Sequence, residues 1–206
     1  ATGGDIALMV PRRVGVIANT WNVCHYLAEP DEIVVQLDGD DQLAHSSVLS
    51  ALAYRYQHGH PDVWMPYGSY SNDAESRNPD GSDPRGLTNL VPADDHTRRA
   101  GWRSSHLRTW KAWLFRKIPR ATLIDPLGVW IDAAPDLATT WPMLEMAGPA
   151  HARYIHDILY LYNGTNPLSE SRSKPDRARA TRDWLQAQPP YRPLAGPDDD
   201  PRREEL

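Results

Sequence analysis

Apolar residues recur along this chain with two different periods, and the alternation between those periods predicts its elements. From residue 13 to residue 28, Val14, Ile17, Ala18, Trp21, Cys24 and Ala28 return every three or four positions, which predicts an amphipathic helix. Residues 33–37 form a nearly unbroken apolar run, the pattern of a strand covered on both faces in a parallel sheet. Helical spacing resumes over residues 45–58 through Val48, Leu49, Leu52, Ala53 and Tyr56, with Gly59 placed as a stop. Residues 63–70 predict the next strand. Strand, helix, strand at these lengths is a crossover unit, and open sheets built from such units hold ligands at the carboxyl edge.

Residues 71–99 are rich in Pro, Gly and Asp and poor in apolar side chains, which predicts a long loop, either functional or without fixed structure. Leu107, Trp110, Leu114 and Ile118 then return at helical spacing until Pro119. A further helix is expected over residues 136–147, with Asp136 at its N-cap, Gly148 just past its end and a kink at Pro142. Residues 154–162 read as a strand. Beyond Pro167 the pattern weakens to one charged helix over residues 178–188 and the tail PPYRPLAGPDDDPRREEL, expected to lack fixed structure. The predicted organisation is an α/β domain over residues 1–170 and a charged helical appendage with a proline-rich tail over residues 171–206.

Composition narrows the class. With 206 residues, 40% hydrophobic and 24% charged, the chain is of globular type and long enough for a real core. No apolar run approaches the roughly 20 residues of a membrane span. The lone Cys24 excludes an internal disulfide and a cysteine zinc site, and fits a reducing, cytoplasmic setting. A net charge of -5 provides no overall attraction to nucleic acid or to an anionic membrane.

The predicted strand runs into EIVVQLDGDDQLA, residues 32–44, which places Asp38, Asp40 and Asp41 within four positions. One carboxylate is enough to cap the following helix. Two carboxylates one residue apart, with Gly39 between them, suit a hard divalent cation that keeps positions for water and a substrate phosphate. The spacing does not match a twelve-residue calcium loop.

The same stretch resembles the acidic Asp-x-Asp motif of family-2 glycosyltransferases with the nucleotide-sugar-binding GT-A fold. RRVGVIANTWN before it, and SHLRTWKAWLFRKI, DLATTWPMLEMAG and ILYLYNGTNP after it, follow in the order such enzymes show, from residue 12 to about residue 170. The resemblance implies a mostly parallel sheet flanked by helices. It also implies that the first strands of the family's sheet, which grip the base, lie upstream of Ala1, so the chain is expected to be truncated at its N-terminus.

Function follows from the resemblance as an expectation. The chain would move a sugar from a nucleotide-diphosphate donor to an acceptor hydroxyl with inversion, assisted by Mn2+ or Mg2+. The acceptor, whether glycan, lipid or protein, is not specified. Asp40 is implied as the principal metal ligand, with Asp38 sharing the metal or contacting the ribose. Asp41 would cap the next helix or support its neighbours. Arg12 and Arg13 fall where the family places a phosphate-facing loop, although a solvated basic pair has the same appearance. Asp136 matches the family's catalytic base, with helix capping as its rival role and Asp132 as a rival base. Glu145 is expected to make a structural bond. Where many members carry a metal-binding histidine after the last strand, this chain has YNGTNP, with Asn163 and Asn166.

Residues 96–120 hold eight Lys or Arg and no acid, so this segment is locally electropositive. Arg108 is a candidate for the substrate diphosphate or, with Lys111 and Arg116, part of the wet face of a helix. His106 is a candidate for touching substrate or metal, or else a structural donor. Trp110 is assigned to the core, while Trp102 and Trp113 stay open, Trp102 being the candidate for stacking on substrate. Interleaved Arg and Trp also suits single-stranded nucleic acid, but that leaves the acidic strand end unexplained. Two other classes remain: a metal-dependent phosphohydrolase or nuclease, which needs more converging ligands, and a non-catalytic interaction module.

Overall fold

The computed structural model describes residues 14–59, 63–72, 98, 101, 104, 106–167 and 173–201. In chain order, α1 (Val16–Asn22) continues into a wider π-helical turn, Val23–Leu27. Then come β1 (Ile33–Gln36), the two-residue β2 (Gln42–Leu43) and α2 (Val48–Tyr54), which ends in a second such turn over Arg55–Gly59. The described residues continue with β3 (Met65–Asn72), β4 (Arg108–Lys111), α3 (Ala112–Arg116), α4 (Pro135–His151), β5 (Ala152–Tyr162) and α5 (Pro175–Ala187).

The protein is mixed α/β, and its strands are mixed in direction. β1 pairs antiparallel with β4, in a register that sets Gln36 opposite Arg108. β5 is central to a second group, antiparallel to β2 and parallel to β3. Lys111 N–H donates to the Trp64 carbonyl at 3.0 Å, which brings the end of β4 against the start of β3. The expected mostly parallel sheet is thus corrected: the described ladders include two antiparallel pairs and one parallel pair.

β4 accounts for part of that correction. Helical spacing was expected from Leu107 to Ile118, but the chain is extended over Arg108–Lys111 and helical only over Ala112–Arg116. Arg108, Thr109 and Trp110 are all buried, so the strand has no polar face and the two-residue period that would betray it is missing. Arg108 is therefore a buried strand residue and not part of a wet helical face.

Apolar side chains gather in two clusters. The larger joins Ile17 and Cys24 of the first helical segment to Met65, Tyr67, Trp110, Phe115, Trp141, Leu144 and Leu185. The smaller seats Val48 and Leu52 of α2 on Tyr70, Leu107, Ile155, Leu159 and Tyr160. Trp110 and Trp113 both belong to the larger cluster, Trp113 meeting Trp64 edge to face with centroids 4.8 Å apart. β1 is less covered than its composition implied. Ile33 is exposed and Val34 to Gln36 are half-buried, because among the described residues β1 has a strand neighbour on one side only.

Helix ends are held by specific contacts. Arg116 donates to the carbonyls of Cys24 and Ala28, placing a cation where the first helical segment leaves its acceptors open. α4 runs through Pro142 with helical backbone and breaks instead at Gly148, whose φ of 57° favours glycine. A Cβ there would also meet Pro193 Cβ at 3.2 Å.

Pro193 belongs to the tail expected to lack fixed structure. Leu194 is buried and its N–H donates to the Met146 carbonyl at 2.8 Å, Tyr191 packs against the larger cluster, and Arg192 forms a two-pronged pair with Asp199 at 2.7 and 2.9 Å. Two apolar anchors and a local ion pair give order to a stretch whose proline and acid content alone reads as disorder. Among the described residues no helix is long and apolar enough to cross a membrane.

Candidate functional site

The acidic stretch forms a tight turn at the carboxyl end of β1, closed by Asp41 N–H donating to the Asp38 carbonyl at 3.1 Å. Gly39 lies at its crest without a left-handed φ, and a Cβ added there would meet no atom within 4 Å. The space over the crest is open.

The three carboxylates face different partners. Asp41 is buried: Tyr160 donates its hydroxyl to Oδ2 at 2.5 Å and Asn163 its backbone N–H to Oδ1 at 2.7 Å. Burial pushes the Asp41 carboxyl above its usual range, while those two hydrogen bonds pull the other way. Burial, followed by the nearby charges of Asp38 and Asp41, raises the Tyr160 phenol, which keeps its proton to donate. The same oxygen accepts the Asp38 N–H at 3.3 Å, so Tyr160 fastens the turn to β5 from below. Asp41 therefore supports its neighbours. It does not cap α2, whose N-cap position is Ser47.

Asp40 accepts a hydrogen bond from the side-chain amide of Asn166, in the YNGTNP segment that follows β5. Asn163 closes that segment on itself, its Oδ1 accepting from Thr165 N–H at 3.2 Å and from the Thr165 hydroxyl at 2.9 Å. Asp38 turns the other way, with Gln36 donating to Oδ1 at 3.4 Å and Arg108 Nη2 lying 4.0 Å from Oδ2.

Arg108 brings in a residue from almost a hundred positions further along the chain. Its Nη1 lies 3.5 Å from Asp136 Oδ2 in the first turn of α4, so one guanidinium, only 2% exposed, stands between two carboxylates that are 39% and 33% exposed. Asp136 does not cap its helix. Ala134 occupies that position with a left-handed backbone, Pro135 opens the helix and no side chain caps it.

His106 backs the guanidinium. Its Nδ1 is 3.4 Å from Arg108 Nη2, and its ring stacks on Tyr160 with centroids 4.3 Å apart. Burial and, secondarily, the Arg108 charge lower its pKa well below the ordinary value, leaving a neutral ring that accepts from Arg108.

Of the residues singled out in the sequence, Asp38, Arg108, Asp136 and His106 come together, and Asp40 sits across the turn with Asn166. Arg12, Arg13 and Trp102 lie outside the described residues. The rival base Asp132 is occupied by Lys174 at 3.1 Å and Arg177 at 2.8 Å, which tie it to α5 and its approach. Glu145 makes a structural bond: buried with Arg98, it takes three hydrogen bonds from that residue and one from Tyr191 N–H.

Tyr160 is the member of the site that sequence reasoning did not single out. The available signal was the pair Tyr160 and Tyr162, two apart on a strand and so on one face, where both rings meet His106.

Among the described residues no three His, Cys, Asp or Glu side chains group to hold a metal ion. Asp38 and Asp40, with open space over Gly39, offer only oxygen donors. Oxygen is the ligand type a hard cation takes, but here Asp38 faces Arg108 and Asp40 faces Asn166, so the two carboxylates do not converge on one point. Set beside known proteins, the chain matches no family model, no curated protein and no solved structure.

Proposed function

We propose that this chain is an inverting glycosyltransferase with a GT-A-like fold. It would move a sugar from a nucleoside-diphosphate donor to an acceptor hydroxyl. The observation that carries the reading is the bridge through Arg108: an acid in the turn after a strand and an acid opening a distant helix flank one buried cation. Inversion needs two such poles, one for the departing diphosphate and one for the incoming hydroxyl.

Asp38 and Asp40 form the donor pole, and they are the residues that would hold Mn2+ or Mg2+. Such a cation supplies charge neutralisation to the departing diphosphate. Asp136 is the base: its carboxylate takes the acceptor hydroxyl's proton as the oxygen attacks the anomeric carbon. Among the described residues its only side-chain partner is Arg108, which leaves lone pairs for that proton. Tyr160 and Asp41 keep the turn from shifting beneath the donor. The lone buried Cys24, its thiol pushed up to about 11 by burial, forms no disulfide and is compatible with a reducing cytoplasm.

Thermal unfolding followed during titration with Mn2+ and a panel of UDP- and GDP-sugars tests the reading. Stabilisation by one donor, abolished by Asp40→Asn, is the expected result. No response to any of these donors overturns the reading.

A further inference from the structure

Arg108 approaches the site from its buried side. The β1–β4 ladder fixes its backbone opposite Gln36, and its near-complete burial leaves no face for a ligand to touch. At 3.5 and 4.0 Å the two contacts are ion pairs held by charge, and the rigid plane of the guanidinium sets the directions from which the two carboxylates are drawn. Here those carboxylates are Asp38 on the donor pole and Asp136 on the acceptor pole, with His106 Nδ1 beside the nitrogen that faces Asp38.

We infer that Arg108 is a positioning residue that couples the two poles. It shares its charge between Asp38 and Asp136 before a donor binds, and holds Asp136 more tightly once Asp38 turns to the donor. The base is thereby oriented for an acceptor only after the donor is in place. For its catalytic consequence this rests on the sugar transfer proposed above; the bridge itself does not.

Arg108→Lys keeps the charge and removes the fork. With the donor found active in the titration, kcat is expected to fall by about ten- to a hundredfold while the donor KM changes by less than about threefold. The double variant Arg108→Lys/Asp136→Asn should lose no more than Asp136→Asn alone, because Arg108 acts through that carboxylate. Fully additive losses, or a loss carried by the donor KM, overturn the inference.

A second measurement needs neither donor nor turnover. In 15N NMR spectra of the full chain, exchange of the Arg108 guanidinium protons should quicken by about tenfold in Asp136→Asn and also quicken in Asp38→Asn. Unchanged exchange in both variants overturns the bridge whether or not the protein transfers sugar. A chain that shows the bridge and no transfer leaves the coupling geometry standing and removes the glycosyltransferase reading.

Discussion

Helix α4 carries an arginine–carboxylate pair near each end, and the two pairs are built differently. At the far end Glu145 is 1% exposed and its two oxygens take four hydrogen bonds, three from Arg98 and one from Tyr191. At the near end Asp136 is 33% exposed and, among the described residues, meets only Nη1 of an arginine that it shares with Asp38. The first carboxylate is saturated and can do nothing further; the second is oriented yet keeps unused acceptor capacity. The same residue types give a structural clamp in one case and an oriented, partly exposed carboxylate in the other, and the difference lies in how many lone pairs are already spoken for.

Asp136→Asn is the strongest way to break that comparison. If the proposed transfer holds, it should cost activity about 10²- to 10⁴-fold, as expected of a lost general base, and destabilise less than the loss of Glu145 does, because the buried Arg108 guanidinium keeps Asp38 as a partner. A large drop in thermal stability with activity retained would reverse the roles of the two ends.

Glu145→Ala should do the opposite. Removing one partner of a buried pair strands the Arg98 charge, at a cost of about 3–5 kcal/mol measurable by denaturant unfolding. Replacing both Arg98 and Glu145 by apolar residues of similar volume should recover much of that loss.

The near end can be sharpened further through its support. Tyr160→Phe leaves Asp41 buried with one hydrogen bond fewer and frees the Asp38 N–H, at an expected cost of about 1–3 kcal/mol. It should also weaken the donor response more than any matched substitution near Glu145.

The smallest effect concerns pH. The folded-state pKa of His106 is depressed, so its contribution to stability is present above the unfolded value of 6.5 and is lost as pH falls through the folded value. His25 is shifted in the same direction, so the test is a difference. Tm measured from pH 7.5 down to 5 should fall less steeply in His106→Phe than in wild type.

The contrast between Asp136 and Glu145 was partly legible in the sequence. An acid opening a predicted helix, and another two and a half turns on, already pointed to different roles. Gly148, just past the expected helix end, is where the helical backbone breaks. What stayed hidden depended on tertiary structure. Leu107, Trp110, Leu114 and Ile118 fit a helix because a strand buried on both faces leaves no alternating trace, and that strand delivers Arg108 between the two acids. The tail reads as disordered because nothing local shows that Tyr191 and Leu194 find anchorage on α4. The partner of Asp41 was beyond reach for the same reason, since Tyr160 lies 119 positions away.

The close approach of Gly148 and Pro193 has an evolutionary corollary. Any side chain at residue 148 would be strained by the backbone and pressed against the proline ring, so residue 148 is not free to drift. Among sequences related to this one, residue 148 should therefore stay glycine even where residue 193 has changed, because the backbone penalises a side chain there whatever the space around it.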